Sequence, residues 1–362
     1  MPTTLMIGTR KGLLMARSQA PGRWELDPIT FPMQEVPSVA VDTRGPAPRL
    51  YAGVTSWHWG PSIAWSDDLG RTWQEPDRAP VAFPERTGAT LTRVWQVRPG
   101  CAAEPDVVYA GTEPAALFRS DDRGATFSLV DGLWDHPQRA QWQPGGGGLG
   151  LHTVLPHPDD PARMHVAIST GGVYRTADGG ASWEPANVGI RAPYLPEGQQ
   201  YPEFGQCVHK VDRHPTEPAT LFLQHHFGVY RSDDEGTSWQ VAETGLPTNF
   251  GFPVLAHPRR PGTAYVFPLV ADGMRVPPEE ACRVYRTTDG GGSWQGFGAG
   301  LPGQRWLSCV LRDGFCADDG EQTGLYFGSR TGEVYASTDD GEHWELVAEH
   351  LPDVLSVRAV AA

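Results

Sequence analysis

The sequence predicts an all-β fold assembled from repeated antiparallel units, and three observations carry that expectation. Glycine and proline supply 43 and 34 of the 362 residues, which speaks for many tight turns and few long helices. One octapeptide recurs six times at intervals of 50 to 56 residues. Between the copies, short runs rich in β-branched and aromatic residues alternate apolar and polar positions, as in a strand with one buried face.

The copies begin with Ser66-Asp-Asp68-Leu-Gly70-Arg-Thr72-Trp73 and Ser120-Asp-Asp122-Arg-Gly124-Ala-Thr126-Phe127. They continue with Thr176-Ala-Asp178-Gly-Gly180-Ala-Ser182-Trp183 and Ser232-Asp-Asp234-Glu-Gly236-Thr-Ser238-Trp239. Thr287-Thr-Asp289-Gly-Gly291-Gly-Ser293-Trp294 and Ser337-Thr-Asp339-Asp-Gly341-Glu-His343-Trp344 complete the set. A degenerate copy at 18–24 ends in Trp24 and has lost the aspartate. Each copy places a carboxylate and hydroxyls inside a turn whose glycine tolerates positive φ, followed by an aromatic ring to bury. These residues resemble the Asp-box, or BNR, repeat (S/T-x-D-x-G-x-T/S-W/F) of sialidase-like β-propellers, over nearly the whole chain. The resemblance implies that each box is the hairpin turn between the third and fourth strands of a blade, with a structural role.

The strands follow in order. Residues 5–7, 12–15 and 24–26 read as the second, third and fourth strands of a first unit. In later units an inner strand ends at a corner such as His157-Pro158 or His214-Pro215. A second strand follows, as at 107–110 or 220–223, and then a third carrying Leu-Phe-Arg or Val-Tyr-Arg (117–119, 173–175, 229–231, 284–286). The box and a short outer strand complete each unit. Residues 354–360 have no box after them and read as the inner strand missing from the first unit, so the two chain ends share one blade. Four strands in each of seven units give a seven-bladed β-propeller over residues 1–362, one domain whose radial repetition protects its sheet edges.

A formal net charge of −14 argues against a nucleic-acid or anionic-membrane partner. No run of apolar residues is long enough for a transmembrane helix. The opening residues lack a basic segment followed by an apolar one and a cleavage site, so no secretory signal is expected. Cys101, Cys207, Cys282, Cys309 and Cys316 are odd in number and form no CxxC pair, which fits free thiols in a cytoplasmic protein. Cys207, two residues before His209, is a candidate reactive thiol.

In an antiparallel blade the turns alternate between the two ends of the strands, so the boxes mark one face and leave the other for function. Five residues back from each corner, Pro37, Arg93, His152, His209, Phe252 and Leu307 are expected to open the inner strands there. The turns between second and third strands add Arg10, Lys11, Trp57, His58, Trp59, Glu113, His225, His226 and Arg330. Two long connections, 128–149 and 185–206, bring Trp134, His136, Trp142, Tyr201 and Glu203. Of twelve histidines, His157, His214 and His257 precede proline at repeat corners and read as structural, whereas six converge on the face opposite the boxes.

Neutral imidazoles gathered in this way can hold a divalent metal ion (Zn, Fe, Cu or Mn) with a position left open. His152, His209 and His225 or His226 are the expected ligands, with His58 next. The expected function is a metal-dependent hydrolase- or lyase-type enzyme acting on a polar or anionic small molecule. In it Arg93, Arg10 and Arg330 bind substrate, Glu113 or Glu203 serves as general base, and Trp57, Trp134 and Trp142 form the walls. Two other readings stand beside it: imidazole and arginine bind the ligand directly without metal, or they form a hydrogen-bonded polar rim. The sialidase resemblance implies a metal-free glycoside hydrolase, with Arg10, Arg93 and Arg330 on a substrate carboxylate and Tyr201 with Glu203 as nucleophile pair. Asp-box propellers also include binding and assembly proteins, which implies a protein partner docking on the same face.

Overall fold

The computed structural model describes residues 3–20, 22–270 and 273–361. Within them the strands form seven radial blades. The third blade comprises Arg93–Pro99, Val108–Glu113, Leu117–Ser120 and Ser128–Leu129, each strand paired with the next. The fourth to sixth blades repeat this order from inner strands Leu151–Pro156, Val208–Arg213 and Val254–Ala256. The seventh begins with Val310–Ala317. The second has three full strands, Glu35–Asp42, Arg49–Ser56 and Gly60–Ser66, with its fourth reduced to one bridge between Trp65 and Gln74.

The first blade is shared as the sequence predicts. Val354–Ala361 runs antiparallel to Thr3–Thr9, in register from Thr3 opposite Ala361 to Gly8 opposite Ser356, with a one-residue slip before Thr9 opposite Val354. Gly12–Ala20 and Arg23–Leu26 complete it. A parallel contact of Asp313 with Ser356 joins the seventh blade to the first, making one eight-stranded sheet across the closure.

The octapeptides fold by one hydrogen-bond plan. Ser66 Oγ donates to Asp68 Oδ1 at 2.8 Å and accepts from Gly70 N at 2.9 Å. Thr72 N and Thr72 Oγ1 then donate to the two carboxylate oxygens of Asp68 at 2.9 and 2.6 Å. In the last copy His343 Nδ1 replaces the hydroxyl, 2.7 Å from Asp339 Oδ2. Gly70 (φ 81°) sits in the left-handed region that disfavours any Cβ, which explains its place in the pattern. Behind the turn the indoles of Trp183, Trp239, Trp294 and Trp344 are buried, each such ring contributing roughly 1.5–3 kcal/mol of transfer free energy, while Trp73 is half-buried. Two of them reach the preceding blade: Trp239 Nε1 donates to the Ala186 carbonyl at 2.9 Å and Trp294 Nε1 to that of Ala242 at 2.8 Å.

The corner histidines are turn formers. His157, His214 and His257 each accept through Nδ1 from a backbone N–H two or three residues on. All five cysteines are free thiols. Among the described residues no helix is long and apolar enough to cross a membrane.

Candidate functional site

A repeated irregularity builds the site. Ladder register slips by one residue at Leu355, Trp95, His152 and His209, near the start of four inner strands. Wider slips span Val36–Pro37 in the second blade and Leu311–Gly314 in the seventh. A bulge frees a residue from the pleat and re-aims its side chain. Pro37, Trp95, His209, Arg312 and Leu355 line one cavity of about 490 Å³, together with Phe252 from the sixth blade. The cavity lies at the channel mouth on the face away from the boxes.

Immediately inward lies a polar floor. Asp313 Oδ1 accepts from Lys210 Nζ at 2.9 Å, Arg358 Nη2 at 2.5 Å and Gln96 Nε2 at 3.3 Å. Burial alone would raise the Asp313 carboxyl. The adjoining Lys210 and Arg358 cations outweigh it and hold the group below the usual carboxylate range. Burial lowers the Lys210 ammonium, with Asp313 opposing.

Among the described residues five arginines and two carboxylates, Glu35 and Asp313, line the cavity. Glu35 pairs with Arg10 at 3.3 Å and Arg93 at 3.1 Å, and Asp353 accepts from Arg10 at 3.0 Å and from Arg330 at 2.5 Å. The three arginines predicted to bind substrate are therefore at the rim, each already holding a carboxylate.

On the opposite wall Cys207, His209 and His226 bring their ligand atoms within 4.8 Å of one another. Cys207 Sγ lies 3.8 Å from His209 Nε2 and 3.7 Å from His226 Nδ1. Zn–S near 2.3 Å and Zn–N near 2.0 Å imply tetrahedral S–N edges of roughly 3.5 Å, so the spacing suits a metal. The backbone sets the pair: His226 N donates to the Cys207 carbonyl at 3.0 Å. His209 Nδ1 lies 2.5 Å from the Gly251 carbonyl, so this nitrogen carries the proton and Nε2 is the free donor facing the thiol. Burial, with Arg312 nearby, pushes the His209 imidazole well below its usual range and keeps it neutral.

The other predicted ligands are elsewhere. His152 is buried, with Nδ1 3.0 Å from Thr153 Oγ1 and Nε2 3.0 Å from the Val208 carbonyl, so it ties the fourth blade to the fifth. His225 is also buried. Its Nδ1 accepts from Phe227 N at 3.1 Å, and burial with His226 alongside pushes it down to about 3. Of the adjacent pair only His226 joins the group. His58 stands on an exposed hairpin tip beside Trp57, which is 83% exposed.

Trp142 is a core residue, its indole N–H donating to Tyr174 Oη at 2.9 Å. Trp134 packs on Phe83 and lies under the Arg139 guanidinium. Glu113 lies behind the wall, accepting from Trp95 Nε1 at 3.0 Å. Glu203 accepts from Gln138 Nε2 at 3.1 Å and Tyr201 is exposed, both outside the cavity lining. Counting back from the corners puts Arg93 and Leu307 where the bulges place Trp95 and Arg312. Arg312 escaped notice because its repeat has no His-Pro corner: five residues further on stands Ala317.

The comparisons agree with this architecture. No protein-family profile matches the chain. Xyloglucanase Xgh74A of Acetivibrio thermocellus is 26% identical over 345 residues, covering 82% of this chain and 38% of that protein. The chain thus spans about two fifths of the length of that relative. A putative 6-phosphogluconolactonase from Bacteroides uniformis superposes with a TM-score of 0.61 at 11% identity, covering 99% of each chain. YCF48 bound to D1 peptide gives a TM-score of 0.52 at 13% identity, covering 96% of this chain and 87% of that one. The shared property is the propeller fold. Proteins with different named activities share this fold, so function is argued from the site.

Proposed function

We propose that this propeller is a metal-dependent, hydrolase-type enzyme that acts on a polar or anionic small molecule in the channel-mouth cavity. The observation that carries the reading is the convergence of Cys207, His209 and His226 on the cavity wall. Three protein ligands are the number typical of catalytic zinc sites, and a thiolate with two imidazoles favours Zn²⁺ or Cu⁺ over Mn²⁺. An ion held there supplies Lewis-acid polarisation of a carbonyl or phosphoryl oxygen. The chain's own groups do the rest: Gly251 fixes the His209 tautomer, and Phe250 and Phe252 pack against its ring. In this reading the protein works in the cytoplasm, where its thiols stay reduced.

Metal analysis of purified protein tests it. About one ion per chain is expected, with loss in Cys207→Ser and His226→Ala while their circular dichroism stays that of the folded wild-type protein. A metal-free protein that does not take up zinc overturns it. A second reading, glycoside hydrolysis without metal, is favoured by the similarity to the xyloglucanase. It requires two carboxylates free to act as acid and base, whereas Glu35 and Asp313 on the cavity wall are each held by cations. Release of reducing sugar from xyloglucan by chelated protein would establish it.

A further inference from the structure

Arg312 is a cavity cation without an ion-pair partner among the described residues. Among the described residues its guanidinium makes no hydrogen bond or ion pair, and its buried Nε has no acceptor. Rings hold it in place: its Cζ lies 5.7 Å from the Trp95 centroid and 5.5 Å from that of Phe252. The same rings carry a second arginine each, Arg93 over Trp95 at 5.0 Å and Arg275 over Phe252 at 5.3 Å. Arg93, Trp95, Arg312, Phe252 and Arg275 thus form a ladder of alternating cations and rings along the wall.

We propose that Arg312 is the receptor for an oxyanion on the ligand of this cavity, a carboxylate or a phosphate monoester, taken up by the guanidinium between Trp95 and Phe252. Aromatic neighbours stabilise a guanidinium but accept none of its in-plane N–H bonds. A planar fork on a cavity wall matches two oxygens of one acid group, a geometry lysine cannot reproduce. Among the described residues the neighbouring carboxylates are already committed: Glu35 to Arg10 and Arg93, Asp353 to Arg10 and Arg330, Asp313 to Lys210 and Arg358. Arg312 is half-buried with its Nε shielded from solvent, and a partly desolvated cation without a partner is costly, so an arriving anion relieves a penalty the folded protein already carries. The locally cationic wall on a chain of net charge −14 also focuses the field that attracts such a ligand. The inference deepens the functional reading by naming the ligand's anionic group, and it requires the cavity but not the metal.

Calorimetric titration with phenyl phosphate and, separately, benzoate tests the proposal and separates the two acid groups. Saturable binding of at least one probe is expected, both by chelated wild-type protein and by Cys207→Ser. Arg312→Met should weaken that binding more than tenfold, and Arg312→Lys, which keeps the charge without the fork, at least severalfold. Unchanged affinity in a folded Arg312→Lys protein overturns the assignment, as does failure of folded wild-type protein to bind either probe. Anion binding without metal content would defeat the metal reading alone; metal content without anion binding would defeat this one alone.

Discussion

Lys210 Nζ lies 2.9 Å from Asp313 Oδ1, tying together the inner strands of the fifth and seventh blades, which share no hydrogen-bonded edge. Arg358 and Gln96 reach the same oxygen from the first and third blades. One carboxylate therefore gathers four blades beneath the cavity.

Asp313→Asn leaves two cations at the floor without a counter-ion. We expect a loss of about 3–5 kcal/mol in unfolding free energy, the scale for breaking a buried pair from one side. Adding Lys210→Met should recover part of that loss, because it removes one of the stranded charges. Denaturant melts of the single and double variants check both.

The box aspartates predict acid sensitivity. Hydrogen bonds from Thr72, Ser182 and Ser293 hold Asp68, Asp178 and Asp289 at about 2. In Asp122, Asp234 and Asp339 burial opposes, but equivalent bonds outweigh it and the groups are also lowered. A carboxyl whose folded value lies below its unfolded one stabilises fully above pH about 4 and loses that contribution as pH falls towards about 2. Melting temperature should therefore begin to decline below pH about 6.5, where the unfolded chain takes up protons that buried His209 and His225 do not, and fall more steeply below 4 as the box carboxylates protonate. A flat profile down to pH 2.5 would contradict the hydrogen-bond plan.

His152 and His209 occupy corresponding bulges but should respond differently. His152→Ala removes the group bonded to the Val208 carbonyl and should cost about 1–3 kcal/mol of stability while leaving metal content unchanged. His209→Ala should abolish metal binding. Metal analysis and thermal melts on the same preparations distinguish them.

Removing residues 354–361 takes the inner strand from the shared blade and exposes Thr3–Thr9 as an open edge. Calorimetry should show the single cooperative transition replaced by a broad, weaker one. An intact sharp transition would show that ring closure contributes little.

The repeat made most of the fold legible. Because one hydrogen-bond plan serves all six octapeptides, Asp68 and Gly70 announce themselves wherever the chain makes that turn, and the spacing supplies the blades. The shared first blade followed from a strand-like segment with no box behind it. The site was less legible, for a local reason. Side-chain direction at the channel mouth depends on bulges, and a one-residue slip sends His209 into the cavity while His152 bonds to the next strand. Nothing in Gly150-Leu-His152 and Cys207-Val-His209 separates these outcomes. In the sequence Cys207 is a thiol two residues from His209, but its partnership with His226 depends on hairpin register that spacing does not reveal. Arg312 had no motif to mark it.

The ring has a consequence for how the protein is made. Thr3–Thr9 must find Val354–Ala361, a partner about 350 residues further along the chain. Six blades can form as they leave the ribosome, but the first stays one strand short until Val354–Ala361 has been made. Pairing so distant in sequence is slow, and an unpaired edge invites wrong partners while it waits. The decisive hazard for this protein is therefore one of timing: the interval between emergence of Thr3–Thr9 and arrival of the strand that covers it.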